Sequence, residues 1–229
     1  MVEKQLKAMF FNGSPRKNKN TAQMLESAMK GAQEAGAEVD LIHLQDLNFK
    51  GCVSCFACKR KGNTCGGLCI QKDDLRPVLE RILEADVLIL GTPVYFSFAT
   101  GMFRNLMERL LFPIMSYSRD EQIGGQMLYL HKRLQTAIIY TMNCPNEEIY
   151  NQFHYDTLLS QDCHFMERMF GYCEQLNAQN TWQYSDYSKF DTNLIDIADK
   201  EYSRQHQWPK DLQNAYDLGK RLVEKAKEQ

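Results

Sequence analysis

The chain has 229 residues and a formal net charge of −2, with 24% charged and 11% aromatic residues. That length suits one large α/β domain with a substantial core. The near-balanced charge, with basic residues scattered along the chain, demands neither nucleic acid nor a membrane surface as partner. No apolar run reaches transmembrane length and the first residues lack a signal-peptide pattern, so a cytoplasmic protein is expected.

Residues 6–11 (LKAMFF) read as a buried strand that Asn12, Gly13, Ser14 and Pro15 terminate with turn residues. From Thr21 the apolar positions Leu25, Ala28, Met29, Ala32 and Ala35 recur at helical spacing, so a polar loop leads into a helix N-terminus. Unpaired backbone N–H groups and the helix dipole make such an end attractive to anions. Ser14, Asn18, Asn20 and Thr21 can donate hydrogen bonds there, and Arg16 can supply a cationic fork. The loop lacks both the three glycines of the dinucleotide fingerprint and the Gly-Lys-Ser/Thr ending of the P-loop; the competing reading is an ordinary capped helix after a turn.

Gly36 stands where a helix C-cap belongs, and residues 39–44 (VDLIHL) read as the second strand. Residues 47–71 carry five of the eight cysteines with little regular periodicity. A helix is expected over 73–85, with Pro77 early enough to be tolerated. The unbroken apolar run 86–91 (DVLILG) suits the centre of a parallel sheet covered on both faces. Residues 92–101 then form a loop before a helix over 102–112. Residues 113–133 are expected to be an insertion serving as a lid or dimer arm. Residues 134–142 are the fourth strand, 147–172 mainly helix, 181–184 the fifth strand, and 211–227 a closing amphipathic helix.

Ligands of doubly wound sheets bind beyond the C-terminal ends of the strands where strand order reverses, which would bring the first loop and the 92–101 loop to one edge. Pro93, Val94, Tyr95, Phe96 and Ser97 offer an apolar, aromatic wall for a flat ring, or else a buried loop filling the core. Cys52, Cys55 and Cys58 at C-x₂-C-x₂-C spacing let three thiolates converge while a fourth arrives later. Zinc could use the same donors, and plain reduced thiols are the remaining reading. Cys144, Cys163 and Cys173 read as individual thiols, and the five histidines form no metal spacing.

Gly13-Ser14-Pro15-Arg16-Lys17-Asn18 with Asn20-Thr21 resembles the FMN phosphate loop of the flavodoxin-like NAD(P)H-dependent FMN reductase family. Together with the cysteine motif and Pro93-Val94-Tyr95, it makes the chain most similar to the iron–sulfur flavoproteins within that family. The resemblance runs over about residues 6–143. It implies a single α/β domain over 1–229: a flavodoxin-like, doubly wound five-stranded parallel sheet with helices on both faces. FMN would be held at Ser14, Arg16, Asn18, Asn20 and Thr21, and along Pro93, Val94, Tyr95, Phe96 and Ser97. The loop after the fourth strand would add Thr141 and Asn143, although it departs from the family in having little glycine. The implied chemistry is hydride uptake from NAD(P)H and electron delivery to a small-molecule or protein acceptor, with no acid–base residue assigned.

The same resemblance implies a [4Fe–4S] cluster on Cys52, Cys55, Cys58 and Cys69, since residues 69–74 match the segment that begins with the family's fourth ligand. Cys65 is the alternative on spacing. A homodimer or homotetramer is expected, with neither nucleic acid nor membrane as partner. The competing functions are a non-enzymatic electron carrier and a zinc-stapled interaction module.

Overall fold

The computed structural model describes residues 5–117 and 132–228. Five strands run parallel in the order β2-β1-β3-β5-β6: β1 Lys7–Asn12, β2 Glu38–His43, β3 Val87–Tyr95, β5 Gln135–Thr141 and β6 Cys173–Ala178. The short β4 Phe98–Ala99 folds back antiparallel on the end of β3. Strand order reverses at β1 and β3, and this is where a doubly wound sheet opens a crevice at its C-terminal edge.

Side-chain alternation divides the core in two. Ala8 and Phe10 of β1, Val87 and Ile89 of β3, and Ala137 and Ile139 of β5 face α1 (Asn20–Glu34) and the last helix, α7 (Trp208–Lys227). Met9, Phe11, Leu88, Leu90, Ile138 and Tyr140 face the opposite layer of α2 (Leu75–Ile82), α3 (Gly101–Ile114) and α5 (Tyr155–Phe170). Central strands buried on both sides explain the continuous apolar runs in the sequence. Helices α1 and α7 cross at small residues: a Cβ on Gly31 would lie 1.9 Å from the Tyr216 carbonyl oxygen, and one on Gly219 equally close to that of Ala28. The contact therefore excludes any larger side chain at either position.

Several elements differ from the sequence expectation. The fifth parallel strand is β6, not residues 181–184, which form an irregular segment. β6 (CEQLNA) is a half-buried edge strand rich in polar residues, so it lacks the apolar run that marks β3 and β5. The helical stretch after β5 divides into α4 (Glu147–Gln152), capped by the Asn146 side chain, and α5, with His154 left-handed between them at φ +53°. Helix α3 continues through Pro113 and Ile114, the first residues assigned to the insertion, while 118–131 lie outside the described residues. Helix α6 (Ile197–His206) precedes α7. Among the described residues no helix is long and apolar enough to cross a membrane.

Candidate functional site

The loop after β1 is shaped by its own side chains. Asn12 Oδ1 accepts from the Ser14 backbone N–H at 2.9 Å, and the Ser14 hydroxyl accepts from the Arg16 N–H at 3.1 Å. Asn12 is itself held by a 3.0 Å contact between its Nδ2 and His43 Nδ1. Gly13 N–H donates to the Gly91 carbonyl at 2.7 Å, and the Thr100 hydroxyl donates to the Gly13 carbonyl at 2.8 Å. A Cβ on Gly13 would meet that Gly91 oxygen at 3.0 Å and Phe103 Cβ at 3.1 Å, so any side chain at residue 13 would press the loop away from β3 and α3. The first helical residues of α1 follow Lys19, whose side chain makes no capping bond, and the early N–H donors stay available.

Three loops meet here. Ser14, Arg16, Asn20 and Thr21 from the first loop, Pro93, Val94 and Tyr95 from the end of β3, and Thr141 and Asn143 after β5 line one open pocket of about 90 Å³. Thr21 and Thr141 hydroxyls pair at 2.7 Å across its floor. Asn18 does not line it; its carbonyl instead accepts from Gln23. Nor do Phe96 and Ser97, which form the turn between β3 and β4 at φ +49° and +71°. Such a two-residue hairpin requires left-handed backbone, usually from Asn or Gly, and holding Phe and Ser there is strained. Phe96 is fully exposed, with Tyr95 and Phe98 about half exposed beside it.

Met142 of the loop after β5 lines the pocket as well, and Lys19, Thr181 and Gln183, which escaped the sequence reading, complete it. The last two belong to the segment following β6, which works as a strap. Arg16 donates to the Gln183 carbonyl at 2.6 Å and Asn20 to the Trp182 carbonyl at 2.9 Å. Thr181 binds back to the Met142 carbonyl through its N–H and its hydroxyl. Behind the strap, Lys200 is 3% exposed and donates to Asn180 Oδ1 at 2.8 Å and the Thr181 carbonyl at 3.1 Å. Burial brings its pKa down to about 8.

The cysteine-rich loop forms a second site. Ser54 and Phe56 are left-handed, both at φ 53°, and Cys52, Cys55, Cys58 and Cys69 line one narrow crevice against Arg109 and Phe112 of α3. Cys65 lies outside that lining, its thiol directed towards the Ala57 carbonyl at 3.8 Å. Arg109 is 1% exposed; its Nε donates to Cys69 Sγ at 2.8 Å, and both Nη groups reach the Asp73 carboxylate, at 2.7 and 3.0 Å. This guanidinium holds the Asp73 carboxyl below its ordinary pKa, whereas burial pushes the Cys58 thiol up. Glu108 accepts from the Cys52 N–H at 2.9 Å, so adjacent residues of α3 fasten both ends of the loop. Lys59 donates to the Pro113 carbonyl at 3.4 Å and to that of Phe112, satisfying the free carbonyls of the last α3 turn. Among the described residues no three Cys, His, Asp or Glu side chains converge on a single ion position.

The chain is similar to known proteins along the same lines. An iron–sulfur flavoprotein of Archaeoglobus fulgidus is 41% identical over 104 residues, 45% of this chain and 48% of the relative. One of Methanocaldococcus jannaschii is 34% identical over 122 residues, 53% and 56% of the two chains. The chain thus spans about half the length of the curated relatives it matches. The solved NAD(P)H:quinone oxidoreductase from Methanothermobacter marburgensis shares the fold, with a TM-score of 0.66 at 15% identity over 96% of this chain and 98% of that one. The family described as NADPH-dependent FMN reductase matches residues 6–129, the stretch that holds the phosphate-type loop, the cysteines and the β3 wall, and the chain belongs to that family of flavin oxidoreductases.

Proposed function

We propose that the protein is an FMN-dependent oxidoreductase that takes hydride from NAD(P)H and passes electrons to an acceptor by way of an iron–sulfur cluster. The observation that carries this reading is the meeting of three loops in one pocket at the strand-order reversal. The residues fit FMN: an uncapped helix start, the polar side chains of Ser14, Asn20 and Thr21 and the Arg16 cation suit a single terminal phosphate. The enclosed space suits that phosphate and its adjoining chain, while the ring would rest against the open wall of Pro93, Val94 and Tyr95. When bound, FMN supplies two-electron chemistry with hydride donors and one-electron exchange with metal centres. The protein's part is to neutralise the phosphate at Arg16, to present apolar contacts and backbone amides at the β3 wall, and to limit water at the ring.

The crevice suits a cluster by the softness of its donors, four thiols with no oxygen or nitrogen ligand required. Cys52, Cys55, Cys58 and Cys69 would be the ligands, and Cys69 is favoured over Cys65 because it alone of the two lines the crevice and bonds to Arg109. The exposed aromatic hairpin of Tyr95, Phe96 and Phe98 supports a homodimer in which a second copy covers the pocket. A reducing, cytoplasmic setting suits eight free cysteines.

The deciding experiment is anaerobic purification followed by a visible spectrum, flavin extraction, iron and sulfide analysis, and steady-state turnover with NADPH and NADH. Bound FMN, iron with sulfide, and turnover are expected. A colourless protein would overturn the reading, and flavin without turnover would make the protein an electron carrier instead.

A further inference from the structure

A second cavity, of about 600 Å³, opens on the other side of the strap, with Arg16, Lys19, Asn20, Thr181 and Gln183 forming the wall it shares with the flavin-type pocket. Its size is that of a small-molecule site. Its chemistry is one-sided: Arg16, Lys19 and Arg204 line it and, among the described residues, no Asp or Glu does, although the chain as a whole carries a net charge of −2. Aromatic surface completes it. Trp182, Tyr184, Phe190 and Trp208 all face the cavity, the Arg204 guanidinium lies 5.0 Å from the Trp182 ring centre, and Tyr184 stacks on Phe190 at 4.2 Å. Amide side chains of Gln23 and Gln183 add groups able to pair with the edge of a heterocycle. Cations without carboxylates select an anion, aromatic faces select a flat ring, and amides select a ring with donors and acceptors at its edge.

We propose that this cavity binds a purine nucleoside phosphate, its base against Trp182 and Trp208 and its phosphate at Lys19 and Arg204. Two sources carry that chemistry: the adenosine half of a reduced nicotinamide cofactor whose other half reaches the flavin, and a free adenine nucleotide acting as an effector. The first source rests on the function proposed above; the site itself does not.

Both tryptophans of the chain line this cavity, so intrinsic fluorescence reports on it directly. The probes are adenosine 2′,5′-bisphosphate and ADP, with inorganic phosphate as control, titrated into the flavin-loaded protein and into the flavin-free protein. Saturable quenching by the nucleotides and not by phosphate is expected in both. Arg204→Ala should weaken it at least tenfold with the FMN dissociation constant unchanged, and Arg204→Lys should restore part of the loss. Nucleotide that competes with NADPH in turnover identifies the adenosine half; nucleotide that binds without competing identifies an effector. Quenching in a protein that takes up no flavin even on reconstitution would sink the proposed function and leave this site standing. The site is overturned by an absence of saturable quenching, by equal quenching with phosphate, by insensitivity to Arg204→Ala, or by nucleotide binding that FMN abolishes.

Discussion

The flavin-type pocket and the cysteine crevice are fastened at opposite ends of one helix, yet they are built by different means. The pocket is largely made of backbone: strand ends, a helix start, and a turn in which the Gly13 N–H meets the Gly91 carbonyl. The crevice is made of side chains on an irregular loop, and its shape depends on a buried guanidinium that reaches Cys69, Asp73 and the Lys50 carbonyl at once. A site made of backbone survives loss of single side chains with graded weakening. One organised around a buried charge collapses when that charge goes, because its partners are left desolvated and unpaired.

The largest effect should therefore come from Arg109→Met. We expect a loss of about 3–5 kcal/mol in unfolding free energy, since a buried ion pair is broken from one side, together with failure to retain iron while flavin affinity changes little. Urea denaturation and metal analysis of the same preparation measure both. Unchanged stability would erase the contrast between the two sites.

Lys200→Met asks whether the pocket, too, leans on a buried charge. With its pKa lowered to about 8, Lys200 loses its proton above about pH 8 in the folded protein, while the unfolded chain holds the proton up to about pH 10.5. The unfolded state then binds more protons, and folding stability gains as pH rises through that window. The Asp199 carboxylate beside Lys200 acts against the burial and favours the protonated amine. Relative to the Met variant, the wild type should gain about 3 kcal/mol between pH 8 and 10.5; parallel stability curves for the two proteins would remove Lys200 from this role.

Smaller effects belong to the backbone-built pocket. Arg16→Ala should weaken FMN binding by about 1.5–3 kcal/mol, the range of a charged hydrogen bond, without moving the denaturation midpoint; flavin fluorescence titration reads the first and urea melts the second. Thr21→Val removes one hydroxyl of the Thr21–Thr141 pair and should cost about 1 kcal/mol in flavin affinity. A loss as large as that of Arg16→Ala would mean that the hydroxyl, more than the helix start, holds the phosphate.

This difference in construction also governs how much the sequence disclosed. Turn residues 12–15, the helical spacing from Thr21 and the continuous apolar runs of 6–11 and 86–91 are local signals, so the central strands and the first loop were legible, while the polar edge strand β6 was not. Arg109 was not: its partners lie 36 to 59 positions away in the chain, and a lone arginine in an amphipathic helix reads as a solvent-facing charge. The strap was misread for the opposite reason. Residues 181–184 (TWQY) have the β-branched and aromatic character of a strand, but their aromatic rings line the second cavity while the Trp182 and Gln183 carbonyls receive Asn20 and Arg16. Phe96 and Ser97 carry no Asn-Gly signature, and nothing local announced that the chain would reverse there.

Helix α3 gives the two sites a common metric. Its cap, Thr100, grips the Gly13 carbonyl, and Arg109 grips Cys69 nine residues later, an axial run of about 14 Å at helical rise. A rod of that stiffness fixes both separation and rotational phase. One residue inserted between Thr100 and Arg109 would lengthen it by only about 1.5 Å but turn the guanidinium about 100° away from the cysteines. Sequence drift on the outer face of this helix is therefore tolerable and drift in its length is not, so α3 acts as a gauge block that keeps two centres at one spacing while the loops around them vary.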